Sequence, residues 1–163
     1  MVMITSLYGC SPKQYTQLPE PCPETLILRD LSRQSFEDPA TGKGEARVEI
    51  DAVHPMCKRE GNKLSITPQP QFMAVRKDID KTPDLKSSYF IALADPSGKI
   101  IEKRIFSLQF MFEKGKRYCY ERTKETLSFE LKTQNIKNYR VFLGLEIDES
   151  EILNNRNRYR QNP

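Results

Sequence analysis

Histidine, on which many catalytic and metal sites depend, is scarce in this 163-residue sequence, and tryptophan is absent. The one histidine is His54. A structural zinc site takes four nitrogen or sulfur ligands, and a Ser-His-Asp triad needs a histidine beside its serine. His54 lies next to Pro55, in a segment that we expect at a sheet edge. The sequence therefore favours neither a metal site nor acid–base catalysis, and no cofactor is expected.

Long apolar runs and phosphate-binding glycine loops are missing as well. No apolar run reaches the roughly 18 residues that a membrane-spanning helix needs. Gly42-Lys43-Gly44 lacks the spacing and the flanking residues of a phosphate-binding loop. The sequence therefore indicates neither a transmembrane helix nor a nucleotide site of this kind.

Charge of one sign is not in large excess. The chain has 26 basic and 22 acidic side chains, and they are mixed along its length. This pattern is typical of a water-exposed surface and not of a nucleic-acid interface, so no nucleic-acid partner is expected. Glu49 and Asp51 alternate with apolar residues, which predicts a solvent-facing side of a strand and not a glycosidase pair.

The densest apolar run belongs to a predicted hairpin over residues 88–112. Its turn is Asp95-Pro96-Ser97-Gly98, in which Pro96 presets φ and Gly98 is permissive. Both faces of the first strand are apolar, which predicts a central strand covered on two sides. The apolar phase slips along the returning strand, which predicts a β-bulge.

Further alternating stretches lie on either side of this hairpin, at 25–29, 45–59, 63–77, 117–131 and 139–147. Prolines at 55, 68 and 70 interrupt two of them and predict sheet edges or bulges there. Charged or turn-rich segments at 30–44 and 78–86 are predicted loops. The count favours an all-β fold, an immunoglobulin-like antiparallel β-sandwich of about seven strands.

The chain ends in a predicted short helix and a basic tail. Asp148 and Glu151 have the spacing of a capping box, which would start a helix over Ile152 and Leu153. Residues 156–163 are basic and poor in apolar side chains, so we expect them to fray. Three arginines of this tail are candidate contacts for a partner or for anionic lipid: Arg156, Arg158 and Arg160.

Residues 1–24 differ from the rest and predict a truncated signal followed by a flexible tether, with the sandwich domain at 25–155. Leu7-Tyr8-Gly9-Cys10 resembles a bacterial lipobox, in which the cysteine carries the lipid. An acyl chain on Cys10 would anchor the domain to a membrane. The alternative is a disordered N-terminus with an unrelated cysteine.

The remaining cysteines are Cys22, Cys57 and Cys119. A Cys22–Cys57 disulfide would fasten the tether to the domain, and such a bond persists in an oxidising compartment. The alternative is two reduced thiols in a cytosolic protein. Cys119 is expected to be a small buried side chain and not a nucleophile.

The chain resembles an uncharacterised family of small alphaproteobacterial periplasmic lipoproteins over residues 10–156. The resemblance rests on the lipobox cysteine, on a second cysteine that closes a charged alternating strand, Cys57, and on four further motifs. These are Pro21-Cys22-Pro23, Ile27-Leu28-Arg29-Asp30-Leu31-Ser32-Arg33, Tyr89-Phe90-Ile91-Ala92, and Gly144-Leu145-Glu146-Ile147 before a helix that ends in Asn155-Arg156. It implies a periplasmic, membrane-tethered domain and supplies no catalytic residues.

These observations favour a non-enzymatic, lipid-anchored domain that binds another envelope or membrane protein. Edge strands of a sandwich can pair with a strand of a partner, and the interruptions at 55 and 68–70 are the expected edges. One alternative is an envelope hydrolase or small-ligand carrier whose site is built from the loops at 30–44 and 78–86. Another is a cytosolic structural protein with free thiols.

Overall fold

Eleven strands and one α-helix are formed by the residues that the computed structural model describes, which are 21–37, 44–79, 84–133 and 135–161. The strands are β1 (Glu24–Ile27), β2 (Arg33–Glu37), β3 (Gly44–Val53), β4 (Met56–Glu60), β5 (Lys63–Thr67), β6 (Pro70–Arg76), β7 (Leu85–Ala94), β8 (Ile100–Phe110), β9 (Tyr118–Arg122), β10 (Leu127–Glu130) and β11 (Arg140–Leu145). The helix α1 spans Glu149–Gln161, and 3₁₀ turns lie at Arg29–Leu31 and Ile136–Asn138.

The strands form three sheets. Sheet 1 has the order β1-β11-β7-β8, sheet 2 has β2-β3-β6-β9, and sheet 3 has β10-β5-β4. Their strand pairs are antiparallel except for β1 and β11, which run parallel. The prediction of an all-β sandwich with a short C-terminal helix is confirmed, with eleven strands in place of about seven.

Sheets 2 and 3 are two halves of one bent layer, which explains the higher strand count. β3 leads into β4, β5 into β6, and β9 into β10, so the same three stretches contribute to both sheets. Pro55 and Pro68 interrupt the pairing at the bend, and Gln69 has a positive φ of 50°. A proline supplies no backbone N–H to a ladder, so strands break where it occurs.

The prolines therefore mark a bend, and the prediction that 68–70 lies at a sheet edge is wrong. β5 and β6 are central strands, each with a neighbour on both sides. Pro68 and Pro70 are buried. Among the described strands, the edges are β1 and β8 in sheet 1, β2 and β9 in sheet 2, and β4 and β10 in sheet 3.

The core lies between sheet 1 and the bent layer. Tyr89 of β7 is fully buried, and its ring centroid lies 4.8 Å from that of Phe72 on β6. The Tyr89 hydroxyl lies 2.6 Å from the Thr123 hydroxyl, so this buried polar group has a partner. Burial raises the pKa of Tyr89 to about 12, so its hydroxyl is neutral at physiological pH.

The predicted hairpin is formed by β7 and β8. β7 is buried on both faces, because Tyr89, Ile91 and Leu93 face the core while Phe90 and Ala92 are covered on the other side. The register between the two strands shifts between Leu93 and Ala94, near the turn, and it is continuous through Ile105 and Phe106, so the bulge predicted from the slip of the apolar phase is not at that position. β7 is central because it lies between β11 and β8. β8 is an edge because it has no second neighbour among the described strands.

The helix α1 extends through most of the basic tail, which corrects the expectation that the tail is frayed. Long-range contacts hold it: the fully buried Asn155 amide donates hydrogen bonds to the carbonyls of Asp30 (3.0 Å) and Arg33 (2.7 Å). The Asp148 carboxylate accepts from the Glu151 N–H, as the capping pattern predicts. No helix in the described part of the chain is long and apolar enough to cross a bilayer.

Helix α1 also covers an edge of sheet 2. The Glu151 carboxylate accepts a hydrogen bond from the Ser35 backbone N–H of β2 at 2.9 Å. This N–H lies on an edge strand, where a side chain of the helix takes the place of a neighbouring strand. The helix therefore brings its basic last turns close to sheet 2.

Candidate functional site

A disulfide bond joins Cys22 to Cys57, with the two Cα atoms 5.4 Å apart. The sequence prediction of this bond is confirmed. Cys22 lies just before β1 in sheet 1, whereas Cys57 lies on β4 in sheet 3 and packs against the core. The bond therefore links the two layers of the sandwich. It also leaves Cys57 without the thiolate that metal ligation by a cysteine requires.

The other cysteines of the chain are Cys10 and Cys119, and its histidine is His54. Cys10 lies outside the described residues. The Cys119 thiol is free and close to the Met111 carbonyl, and burial raises its pKa, which disfavours the reactive thiolate. His54 is exposed, and its backbone N–H donates to the Pro68 carbonyl at the bend. Within the described residues, no group of three or more side chains could hold a metal ion.

The three tail arginines lie in different surroundings. Arg156 donates to the Asp30 carboxylate at 2.9 Å and so helps to hold α1 against the sandwich. Arg160 is exposed. Arg158 lies in a depression that is also lined by sheet 2. Of the three tail arginines, Arg158 is therefore the one that lies beside other cationic side chains in a depression.

An apolar edge surface is formed by Ile100, Ile101 and Ile105 on β8. The exposed fractions of Ile100 and Ile105 are 47% and 58%. β8 is an edge, so one side of an eleven-residue strand lacks a neighbouring strand in the described sheet. The edge surface thus combines a backbone edge that no described strand pairs with and exposed apolar side chains.

An apolar depression of about 330 Å³ adjoins this edge on the outer side of sheet 1. The Lys103 ammonium lies 4.3 Å from the centroid of the Phe90 ring and 2.6 Å from the Glu146 carboxylate. These contacts hold Lys103 over the depression. The lining side chains are Leu28, Phe90, Ala92, Ile100, Lys103 and Phe142.

A second, cationic depression of about 380 Å³ lies between sheet 2 and α1, and we call it the basic pocket. It is lined by six basic residues: Arg33, Arg47, Arg76, Lys77, Arg117 and Arg158. The Arg76 guanidinium is directed away from the pocket, because it donates to the Lys116 and Glu113 carbonyls and lies over the Phe112 ring. The register of β2, β3 and β6 places Arg33, Arg47 and Val75 on the outer face of sheet 2, opposite the core. Helix α1 adds Arg158 from the side.

The basic side chains of the pocket are only partly neutralised. Glu45 is the single carboxylate among the lining residues, and Glu49 lies 3.0 Å from Arg33 and 2.9 Å from Arg47. Burial, followed by the nearby charge of Arg158, lowers the pKa of Arg33. The Arg33 guanidinium thus lies in a field that disfavours its positive charge.

Two guanidinium nitrogens of the pocket residues are buried without a hydrogen-bond partner among the described residues. They are Nε of Arg33 and Nη1 of Arg158. Buried donors are nearly always satisfied in folded proteins, and an unsatisfied one costs roughly 1–3 kcal/mol. These two nitrogens therefore lack the hydrogen-bond acceptors that buried donors normally have.

Sequence reasoning found Arg158 and missed the other basic residues of the pocket. These residues are far apart in the chain, so no local run of charge indicates that they meet. The one available signal was phase: Arg47 alternates with inward-facing Val48 and so had to point away from the core. This alternation predicts which way the Arg47 side chain points, but it does not predict which side chains lie beside it.

No protein-family model matches this sequence, and no curated protein and no solved structure matches it either. The resemblance to alphaproteobacterial periplasmic lipoproteins stays a prediction. The function must therefore be inferred from the disulfide, the edge surface and the basic pocket.

Proposed function

We propose that the protein is a non-enzymatic, membrane-anchored periplasmic lipoprotein domain that serves as a protein-binding accessory subunit of a cell-envelope complex. Its anchor would be a lipid on Cys10. The Cys22–Cys57 disulfide supports an oxidising compartment, because cytosolic thiols are kept reduced. The observation that carries the binding role is the edge surface of β8.

β8 has the features of a strand that accepts a partner strand. In such an interaction the backbone hydrogen bonds of the edge supply affinity, and alternate side chains supply specificity. Natural edge strands are usually short, charged or covered, which prevents unwanted pairing. β8 is eleven residues long and exposes Ile105, although Lys103 and Arg104 give it some charge. We infer that an extended segment of another envelope protein binds along it.

Replacing Ile105 with lysine is expected to abolish partner binding without unfolding the domain. The side chain is 58% exposed, and surface substitutions of this kind usually change the free energy of unfolding by less than about 0.5 kcal/mol. A lysine would place charge where the incoming strand must pack. The measurement is the amount of partner that co-purifies with the anchored, full-length protein after cross-linking in intact cells.

Met56→Lys is the matched control. Met56 is 63% exposed on β4, an edge strand of sheet 3, so it introduces the same charge at a similarly exposed apolar site. We expect Met56→Lys to retain the partner in wild-type amount. Equal recovery of the partner with Ile105→Lys and with the wild type would exclude β8 as the binding edge.

A small-ligand carrier is the second candidate function, and the basic pocket favours it. Arg33 and Ser35, from the segment predicted as a loop at 30–44, line this pocket. Lys77 lies just before the second predicted loop, which is 78–86. The chemistry of the lining is cationic, in place of the histidine or paired carboxylates that a hydrolase would use. This arrangement suits retention of an anion.

A further inference from the structure

We propose that the basic pocket binds a phosphate group, carried either by a phospholipid head group or by a soluble phosphate ester. This site lies between sheet 2 and α1, whereas the partner edge proposed above lies on β8 of sheet 1. The two proposals therefore concern different surfaces, and an experiment that contradicts one does not contradict the other.

The charge of the pocket favours an anion of more than one negative charge. Apart from Arg76, whose guanidinium is directed away, its lining holds five cations and one carboxylate, which leaves four positive charges in excess. Glu49 contacts Arg33 and Arg47 and reduces the excess by one. Like charges gathered on one face repel each other, and a bound dianion would relieve that repulsion.

The unpartnered donors point to an oxyanion. Nε of Arg33 and Nη1 of Arg158 have no acceptor among the described residues. A rotation of either guanidinium toward an anion in the pocket would supply that acceptor. Hydrogen bonds between charged donors and charged acceptors are about twice as strong as neutral ones.

The directions of the side chains favour a tetrahedral oxyanion over a carboxylate. Arg33 of β2 and Arg47 of β3 approach from the outer face of sheet 2, and Arg158 approaches from α1, so the donors reach the pocket from two sides. A carboxylate offers two oxygens in one plane, whereas a phosphate offers three or more in different directions. Guanidinium groups pair well with phosphate because their forked donors match its oxygens.

The size of the pocket fits a phosphate with part of the group that carries it. The depression measures about 380 Å³, at the small end of the range for ligand sites, roughly 300–1,000 Å³. Tyr118 and Val75 add apolar surface to its lining. A phospholipid head group and a small phosphate ester both meet these limits.

Arg158→Gln is expected to weaken phosphate binding by the full-length protein about tenfold or more, because it removes a charged donor from the pocket. The measurement is titration calorimetry with inorganic phosphate and with glycerol 3-phosphate, at constant ionic strength set by chloride. Arg160→Gln is the matched control, since it removes the same charge from the same helix outside the pocket. We expect its affinity to equal that of the wild type.

Vesicles distinguish the two sources of phosphate. Binding to phosphatidylglycerol vesicles that falls in Arg158→Gln but not in Arg160→Gln would assign a lipid head group. Vesicle binding that is the same in both variants, together with Arg158-dependent binding of glycerol 3-phosphate, would assign a soluble ester.

Two results would overturn the proposal. One is equal phosphate affinity in Arg158→Gln and Arg160→Gln. The other is acetate or an acidic peptide binding as tightly as phosphate, which would assign the pocket to carboxylates. Because Ile105 lies on β8 of sheet 1 and does not line the pocket, Ile105→Lys should leave phosphate binding unchanged whatever it does to the protein partner.

Discussion

Removing the Cys22–Cys57 bond is expected to lower the free energy of unfolding by about 3–4 kcal/mol. The bond closes a loop of 35 residues, and the cross-link restricts the unfolded chain more than the folded one. It also joins sheet 1 to sheet 3, so its loss would release both the start of β1 and the edge strand β4. The measurement is urea unfolding of the Cys22→Ser/Cys57→Ser double variant against the wild type.

Reduction of the wild-type protein provides the internal control. A reductant should bring the wild type to the stability of the double variant and should leave the double variant unchanged. Cys119→Ser, which changes a free thiol, should keep a reductant-sensitive transition. If the oxidised wild type and the double variant unfold at the same urea concentration, the bond does not stabilise the fold.

Gly144→Val is expected to destabilise the domain by about 3 kcal/mol, the upper part of the usual range for overpacking. Gly144 pairs with Phe90 across β11 and β7. A Cβ atom at Gly144 would lie 2.7 Å from Cε1 of the Phe90 ring and 2.8 Å from Cβ of Leu31. The Phe90 ring is buried beneath Lys103, so it has little room to move.

A double-mutant cycle with Phe90→Leu tests this explanation. The smaller leucine would leave space for the added side chain, so the two substitutions together should cost less than the sum of their separate effects. Gly144→Ala should lie between the wild type and Gly144→Val. Additive effects in the cycle would show that the Phe90 ring is not what excludes a side chain at 144.

The fold was predictable where the information is local or strictly periodic. The apolar run from Tyr89 to Ala94 and the turn at Pro96 specify the β7–β8 hairpin without reference to the rest of the chain. The disulfide was also predictable, because two cysteines flank the first strands of a chain with a lipobox-like start. These features depend on residue type and spacing alone.

The edges and the helix were less predictable because they depend on tertiary contacts. A proline interrupts a strand equally well at a sheet edge and at a bend between sheets, so Pro68 could not distinguish the two. The tail residues have little apolar character, and what makes them helical is the hydrogen bonding of Asn155 to two distant carbonyls. No periodicity in the sequence reports such a contact.

The candidate sites differ in the same way. Ile105 is apolar in a strand with a visible alternation, and its exposure follows from the position of β8 at an edge, which only the sheet order reveals. The basic pocket requires that β2, β3 and α1 meet. Arg158 was identified as a contact residue from the charge of the tail, but its neighbours Arg33 and Arg47 came from parts of the sequence with mixed charge.

The proposal that the protein is lipid-anchored and lies in an oxidising envelope compartment is tested most directly by mass spectrometry of the mature protein extracted from membranes without reductant. We predict that residues 1–9 are removed, that Cys10 carries acyl chains, and that the peptides holding Cys22 and Cys57 are linked by a disulfide. Recovery of an unmodified Cys10 that is still preceded by Gly9, with Cys22 and Cys57 as free thiols, would contradict the account and favour a cytosolic protein.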